Sequence, residues 1–186
     1  MLIAKQKRRE NIAEYILYLW QLEDVIRALE FDEQAIYKHL VENSNNDDSI
    51  KQMVLYWYID IANIIKSEGK SDHGHMEHTI HLIGELNDLH LMLLKSDAGK
   101  SYLPLFLDLA PHLKELRNRQ KESSSNDIEL CFKALYGVML QRIKQNDKFD
   151  SDVIELISPV IAMLSHIYLQ VERGEVDLYK NDEKKD

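Results

Sequence analysis

A single cysteine, three prolines and six glycines are all that 186 residues contain of these types. One thiol, Cys131, cannot close an internal disulfide, and its isolation fits a reducing compartment. So little Gly and Pro leaves few punctuation points for short strands and tight hairpins, which moves the expectation to an all-α fold. No run reaches the ~20 apolar residues of a membrane-spanning helix. The opening Met1 to Arg9 carries charges where a signal peptide would need its apolar run, so a cytoplasmic protein with no membrane association is expected. Also lacking are a Gly-rich phosphate loop, a serine nucleophile elbow, a His-Glu-x-x-His zinc motif and any Glu-x-x-His pair. Net charge is −9. Phosphate backbones are bound by clustered Lys and Arg, so no nucleic-acid partner is expected. The one basic run, Lys5 to Arg9, is short and passes directly into Glu10 and Glu14.

What is present is 45% hydrophobic and 30% charged residues, enough to bury one sizeable core. Asn11 to Ala28 has no Gly or Pro, and its apolar residues cover almost the whole helical circumference, the pattern of an enclosed helix. One track is polar: Asn11, Glu14, Gln21 and Asp24, with Tyr18 between them. Asp32 is placed to cap a second helix that runs to about Asn43. A third, Ser49 to Lys66, puts Ile50, Val54, Trp57, Ile61 and Ile64 on one face, and Gly69 can end it in a left-handed turn. The fourth, His75 to Lys95, has a seam of Leu82, Leu86, Leu89 and Leu93. The fifth opens at Ser101 and should kink or split at Pro111. A polar stretch from Glu122 to Asn126 precedes the sixth, Asp127 to Gln145. Ser151 caps the last, through Val171, with a kink at Pro159. Six to seven amphipathic helices on short polar turns predict an up-and-down helical bundle, a single domain over residues 1–174. The charged tail 175–186 has too little apolar content to pack.

Six of the eight histidines fall between His73 and His112. His78 and His81 are three apart on one helical face, and with His75 they form a weak candidate metal set. The competing reading is a solvated, His-rich first turn, and no metal or cofactor is expected. The loop Lys70 to His75 could also cradle an anion at the helix start, or simply cap it. His90 lies beside Leu86, Leu93 and Leu94, so it should face inward and need a hydrogen-bond partner. Glu14 and Asp24 are candidate partners. Together Glu14, Tyr18, Gln21, Asp24, His81, Asp88 and His90 would line a small polar pocket between the first and fourth helices, with Gly84 leaving a recess. The alternative is a satisfied core histidine, with Gly84 allowing close helix packing. Ala134 and Gly137 similarly clear a face for a neighbouring helix. Cys131 reads as a buried inert thiol, and no residue set qualifies as catalytic.

The chain resembles a bacterial family, domain of unknown function 4924. The resemblance rests on Ile3-Ala4-Lys5-Gln6-Lys7, on Glu10-Asn11-Ile12-Ala13-Glu14-Tyr15, and on Trp20 through Ala28. It continues at Gly74-His75, Leu89-His90, Leu93-Leu94-Lys95, Glu129-Leu130-Cys131-Phe132 and Ala134 through Val138. It implies a small helical protein with no assigned activity, cofactor or catalytic residue. The leading expectation is a non-catalytic helical protein that binds a protein partner or forms a homo-oligomer, motivated by apolar excess at Tyr102 to Leu109. A small-ligand binder or enzyme using the polar pocket is the alternative, and a His-rich metal protein the third.

Overall fold

A computed structural model describes residues 1–119, 124–143 and 151–178. Among these residues the fold is all α, with no strand: α1 (Leu2–Glu10), α2 (Ile12–Ala28), α3 (Glu33–Leu40), α4 (Asp48–Ser67), α5 (Glu77–Leu93), α6 (Tyr102–Leu109), α7 (Leu113–Arg119), α8 (Asp127–Ile143) and α9 (Ser151–Glu172). Short 3-10 turns occupy Asp97–Gly99 and Ala110–His112. The helix number exceeds the expected six to seven for two local reasons. Asn11 interrupts the first helix, its Oδ1 accepting the Ala13 N–H at 3.0 Å as an N-cap for α2. Pro111 falls in the 3-10 turn that separates α6 from α7, the expected split.

The chain forms two compact units, and α5 contributes its first residues to one and the rest to the other. The first unit comprises Met1–Arg8 and Glu14–His81. Its core gathers Leu19, Leu22 and Ile26 of α2 with Ile36 of α3, with Val54, Tyr58, Ile61 and Ile65 of α4, and with Met76 before α5. The buried stripe of α4 runs through residues 54, 58, 61, 62 and 65, so it is turned from the expected one: Ile64 is exposed and Ile65 is buried. Asp32 caps α3 as expected, accepting the Ala35 N–H at 2.7 Å. Gly69 (φ 68) ends α4 in the left-handed region, where a Cβ would be strained.

The second unit comprises Arg9–Ala13 and residues from Leu82 onward. Within it α9 packs on α6 and α8, and α7 packs on α8. Asn126 caps α8 through a 2.8 Å bond from the Glu129 N–H, while the Glu129 carboxylate reaches back to the Ser125 N–H at 2.7 Å. The hinge residues Glu122 and Ser123, and the far end of the sixth helix at Gln145, lie outside the described residues. By length and composition α9 is apolar enough to cross a membrane, from Asp152 to Glu172, although no unbroken apolar run of that length exists. It buries Ile157, Val160, Ile161, Leu164 and Leu169 within the protein. Of the expected charged tail, Leu178 is buried, and residues 179–186 lie outside the described residues.

Two glycines behave otherwise than their spacing suggests. A Cβ added at Gly84 or Gly137 would meet nothing within 4 Å, so neither clears a path for a neighbouring helix. Gly99 does have that role, since a Cβ there would lie 1.8 Å from the Leu93 carbonyl oxygen. Accordingly, Gly84→Ala and Gly137→Ala should each stabilise the protein by about 0.5–1 kcal/mol, because they relieve only helix entropy. Gly99→Ala should destabilise it by about 2 kcal/mol or more. Urea midpoints of the three variants test this ordering.

Candidate functional site

The most densely bonded polar cluster of the first unit is built where α2 meets the loop leading into α5. Trp20, Glu23, Asp24 and Arg27 recur at three- and four-residue spacing, so α2 presents them on one face. Glu23 is fully buried (0% exposed). Its Oε2 accepts from His75 Nδ1 at 2.8 Å, and its Oε1 accepts the Met76 N–H at 3.2 Å. With the carboxylate oxygen accepting, Nδ1 is the donor of that bond and Nε2 is the ring's other nitrogen. Arg27 places its guanidinium 3.7 Å from Glu23, bonds Asp24 at 2.8 Å, and donates to the carbonyls of Lys70 (3.0 Å) and Gly74. Gly74 holds φ 85, the left-handed conformation that turns its carbonyl to Arg27 and lets the next residue reach Glu23. The His75 ring lies flat on Trp20, with centroids 3.7 Å apart and 6° between planes. Trp20 Nε1 in turn donates to Thr79 Oγ1 at 3.0 Å, and Thr79 donates to the Met76 carbonyl at 2.8 Å.

A carboxylate that fixes one imidazole nitrogen and so defines the other is an arrangement able to transfer protons. Here it also holds together the backbone of a loop, since two partners of Arg27, the carbonyls of Lys70 and Gly74, and two of Glu23, His75 and Met76, belong to residues 70–76. The same geometry engages the weak metal candidates separately. His75 binds Glu23 and stacks on Trp20, whereas His78 meets the Tyr15 hydroxyl at 3.2 Å and His81 is exposed. Among the described residues, no three His, Cys, Asp or Glu side chains group to hold a metal ion.

The residues expected to line a polar pocket are placed as follows. In the first unit Glu14 is exposed and pairs with Lys7 at 2.6 Å, and Asp24 pairs with Arg27. Tyr18 and Gln21 are half-buried. Burial, with the neighbouring Tyr58 that shares a hydrogen bond with it, pushes the Tyr18 phenol up. In the second unit Asp88 is exposed, while His90 is buried as expected. The His90 partner is a residue the sequence reading did not consider: Nδ1 and the Tyr102 hydroxyl share a 2.6 Å bond, and the Phe106 ring lies edge-on at 4.5 Å. Burial lowers the His90 pKa, against an opposing pull from Asp127, so the ring favours its neutral form. Burial likewise raises the Tyr102 phenol and pushes the Cys131 thiol up to about 12, which keeps that sulfur a protonated, inert thiol.

Asp88 also borders a groove of about 650 Å³ in the second unit, between α5 and α9. Glu85, Asp88 and Glu172 stand on it with Leu89, Met92, Tyr168, Val171 and Leu178, and Tyr168 donates to Glu85 Oε2 at 2.6 Å. Glu23 and the groove were both missed by the sequence reading. For Glu23 a signal existed: it lies three residues after Trp20 and four before Arg27. For the groove there was none, because Leu178 comes from a stretch whose composition reads as unpacked.

The model of a family described as a domain of unknown function, DUF4924, matches residues 1–175. No curated protein and no solved structure matches the chain. Among the residues that carried the sequence resemblance, Trp20, Glu23, Asp24, Arg27, Gly74 and His75 meet in the cluster just described.

Two measurements follow from these environments. Glu23→Ala should cost about 3 kcal/mol in urea unfolding, since it strips the acceptor from a buried N–H and an imidazole, and Thr79→Val about 1–2 kcal/mol by orphaning the indole N–H. The folded His90 pKa is depressed, so its contribution to stability is present above the unfolded value of 6.5 and is lost as pH falls below it through the lower folded value. Stability of the native protein should therefore decline from pH 7 to pH 5.5, with a shallower decline in His90→Gln. Equal slopes would contradict it.

Proposed function

The chain belongs to the DUF4924 family, and from that premise we propose a non-catalytic protein of the bacterial cytoplasm that works by binding a protein, first of all a second copy of itself. One observation carries this reading. Helix α6 buries Tyr102 and Leu109 but turns Leu103 and Leu107 outward, the latter 58% exposed, as neighbours one turn apart. Exposed aliphatic side chains on one helical face favour association, because joining two such faces removes apolar surface from water. The non-catalytic part is supported by how the reactive groups are used. Glu23 and His75 tie a loop, His90 and Tyr102 satisfy each other, and the Cys131 thiol is buried and protonated. A lone buried thiol is compatible with a reducing cytoplasm.

A second reading, a small-ligand protein, is favoured by the groove beside Asp88, whose volume falls in the range of small-molecule sites.

Sedimentation of the full chain over a concentration series tests the first reading. Association should appear at the upper end and strengthen with added salt, because copies of net charge −9 repel and salt screens that repulsion. The Leu103→Glu, Leu107→Glu double variant should remain monomeric with an unchanged melting midpoint. A native chain that is monomeric throughout would contradict the reading.

A further inference from the structure

We infer that the outward face of α6 seats antiparallel on the outward face of α4 of a second copy, with Lys100 against Asp60; this rests on the self-association reading above and names the surface that receives α6. Helix α4 carries Met53, Tyr56, Asp60 and Ile64 at successive turns, so they share one face. It lies opposite the stripe of residues 54, 58, 61, 62 and 65 that enters the core. All four side chains are exposed, Met53 by 52% and Tyr56 by 56%. Asp60 stands one turn from Tyr56 and one turn from Ile64, and among the described residues no side chain pairs with its carboxylate. A surface that covers this face must bring a cation to Asp60 or leave it desolvated without a partner.

Helix α6 has the matching pattern. Lys100 and Ser101 already hold right-handed helical backbone, so Lys100, Leu103 and Leu107 lie one turn apart on a single face. The Lys100 side chain is 78% exposed, and its pairing with Asp97 at 3.4 Å leaves N–H donors for a carboxylate. The two series also agree in length. Leu103 and Leu107 follow Lys100 by three and seven residues, while Tyr56 and Met53 precede Asp60 by four and seven. Seven residues of helix span about 10.5 Å, so an antiparallel contact that joins Lys100 to Asp60 sets Leu103 on Tyr56 and Leu107 on Met53. A second α4 face would instead bring two Asp60 carboxylates into one apolar contact, and an anionic lipid surface would meet Asp60 as a like charge. The contact joins two different faces, so a chain defective in one keeps the other.

Sedimentation of full-length variants, with native mass spectrometry of their mixtures, tests this. Met53→Glu with Tyr56→Glu, both at exposed positions, should be monomeric where the native chain associates, as should Leu103→Glu with Leu107→Glu. An equimolar mixture of these two double variants should form a heterodimer and nothing larger, because one intact α6 face and one intact α4 face remain. Both variants carry the added negative charge, so general repulsion cannot produce that recovery. Asp60→Lys should weaken association about tenfold although it reduces the net charge, and Lys100→Glu in the same chain should restore it. If the α4 double variant or Asp60→Lys associates like the native chain, or the mixture gives no heterodimer, the α4 assignment is overturned while self-association through α6 stands. A native chain that stays monomeric would overturn both.

Discussion

A carboxylate removed from water must be met by donors, and in the first unit that requirement shapes the structure around Glu23. Leaving it unmet would cost several kcal/mol, comparable with the whole stability of a small domain. The donors come from His75 and the Met76 backbone, which must therefore approach α2, and Arg27 stands nearby with its charge. The loop can comply because Gly69 and Gly74 adopt left-handed conformations at its two ends. Once His75 is drawn in, its ring stacks on Trp20, and Trp20 in turn needs Thr79 at the start of α5. One buried side chain thus places the entry to a helix.

How much of this was legible follows from the range of each interaction along the chain. Features set within a few residues were readable: Asp32 as a cap, the left-handed Gly69, and the break at Pro111. The inward face of His90 was also readable, because Leu86, Leu93 and Leu94 are its helical neighbours. Its partner was not, since Tyr102 comes from the next helix beyond a turn whose path no spacing rule supplies. Periodicity misplaced the α4 stripe by one position, Ile64 for Ile65, because several adjacent residues there are apolar and any of two faces would serve. Asn11 was read as part of a polar helical track, yet its side chain competes for a backbone N–H and divides the helix. The candidate pocket residues were chosen by polarity, and the structure gives them separate partners: Lys7 for Glu14, Arg27 for Asp24, Tyr58 for Tyr18, Tyr102 for His90. Glu23 escaped notice because it lies off the polar track, with Leu19, Trp20 and Ile26 as its neighbours one helical turn away.

The functional proposals share a physical basis. Glu23 with His75, and His90 with Tyr102, are held in internal hydrogen bonds, and burial keeps the Cys131 thiol protonated. The described surface carries an aliphatic pair on α6 and a groove that joins apolar walls to carboxylates. Removing apolar area from water is the basis of the association proposed for α6, and the net charge of −9 opposes it until salt screens the repulsion.

The central claim, that Glu23 fixes the loop before α5, is tested most directly by native-state hydrogen exchange at the Met76 amide. That N–H donates to a fully buried carboxylate, so its exchange should require opening of the first unit and be slowed nearly as much as the amides of Ile61 and Ile65. Exchange at the rate of an exposed loop would contradict the account.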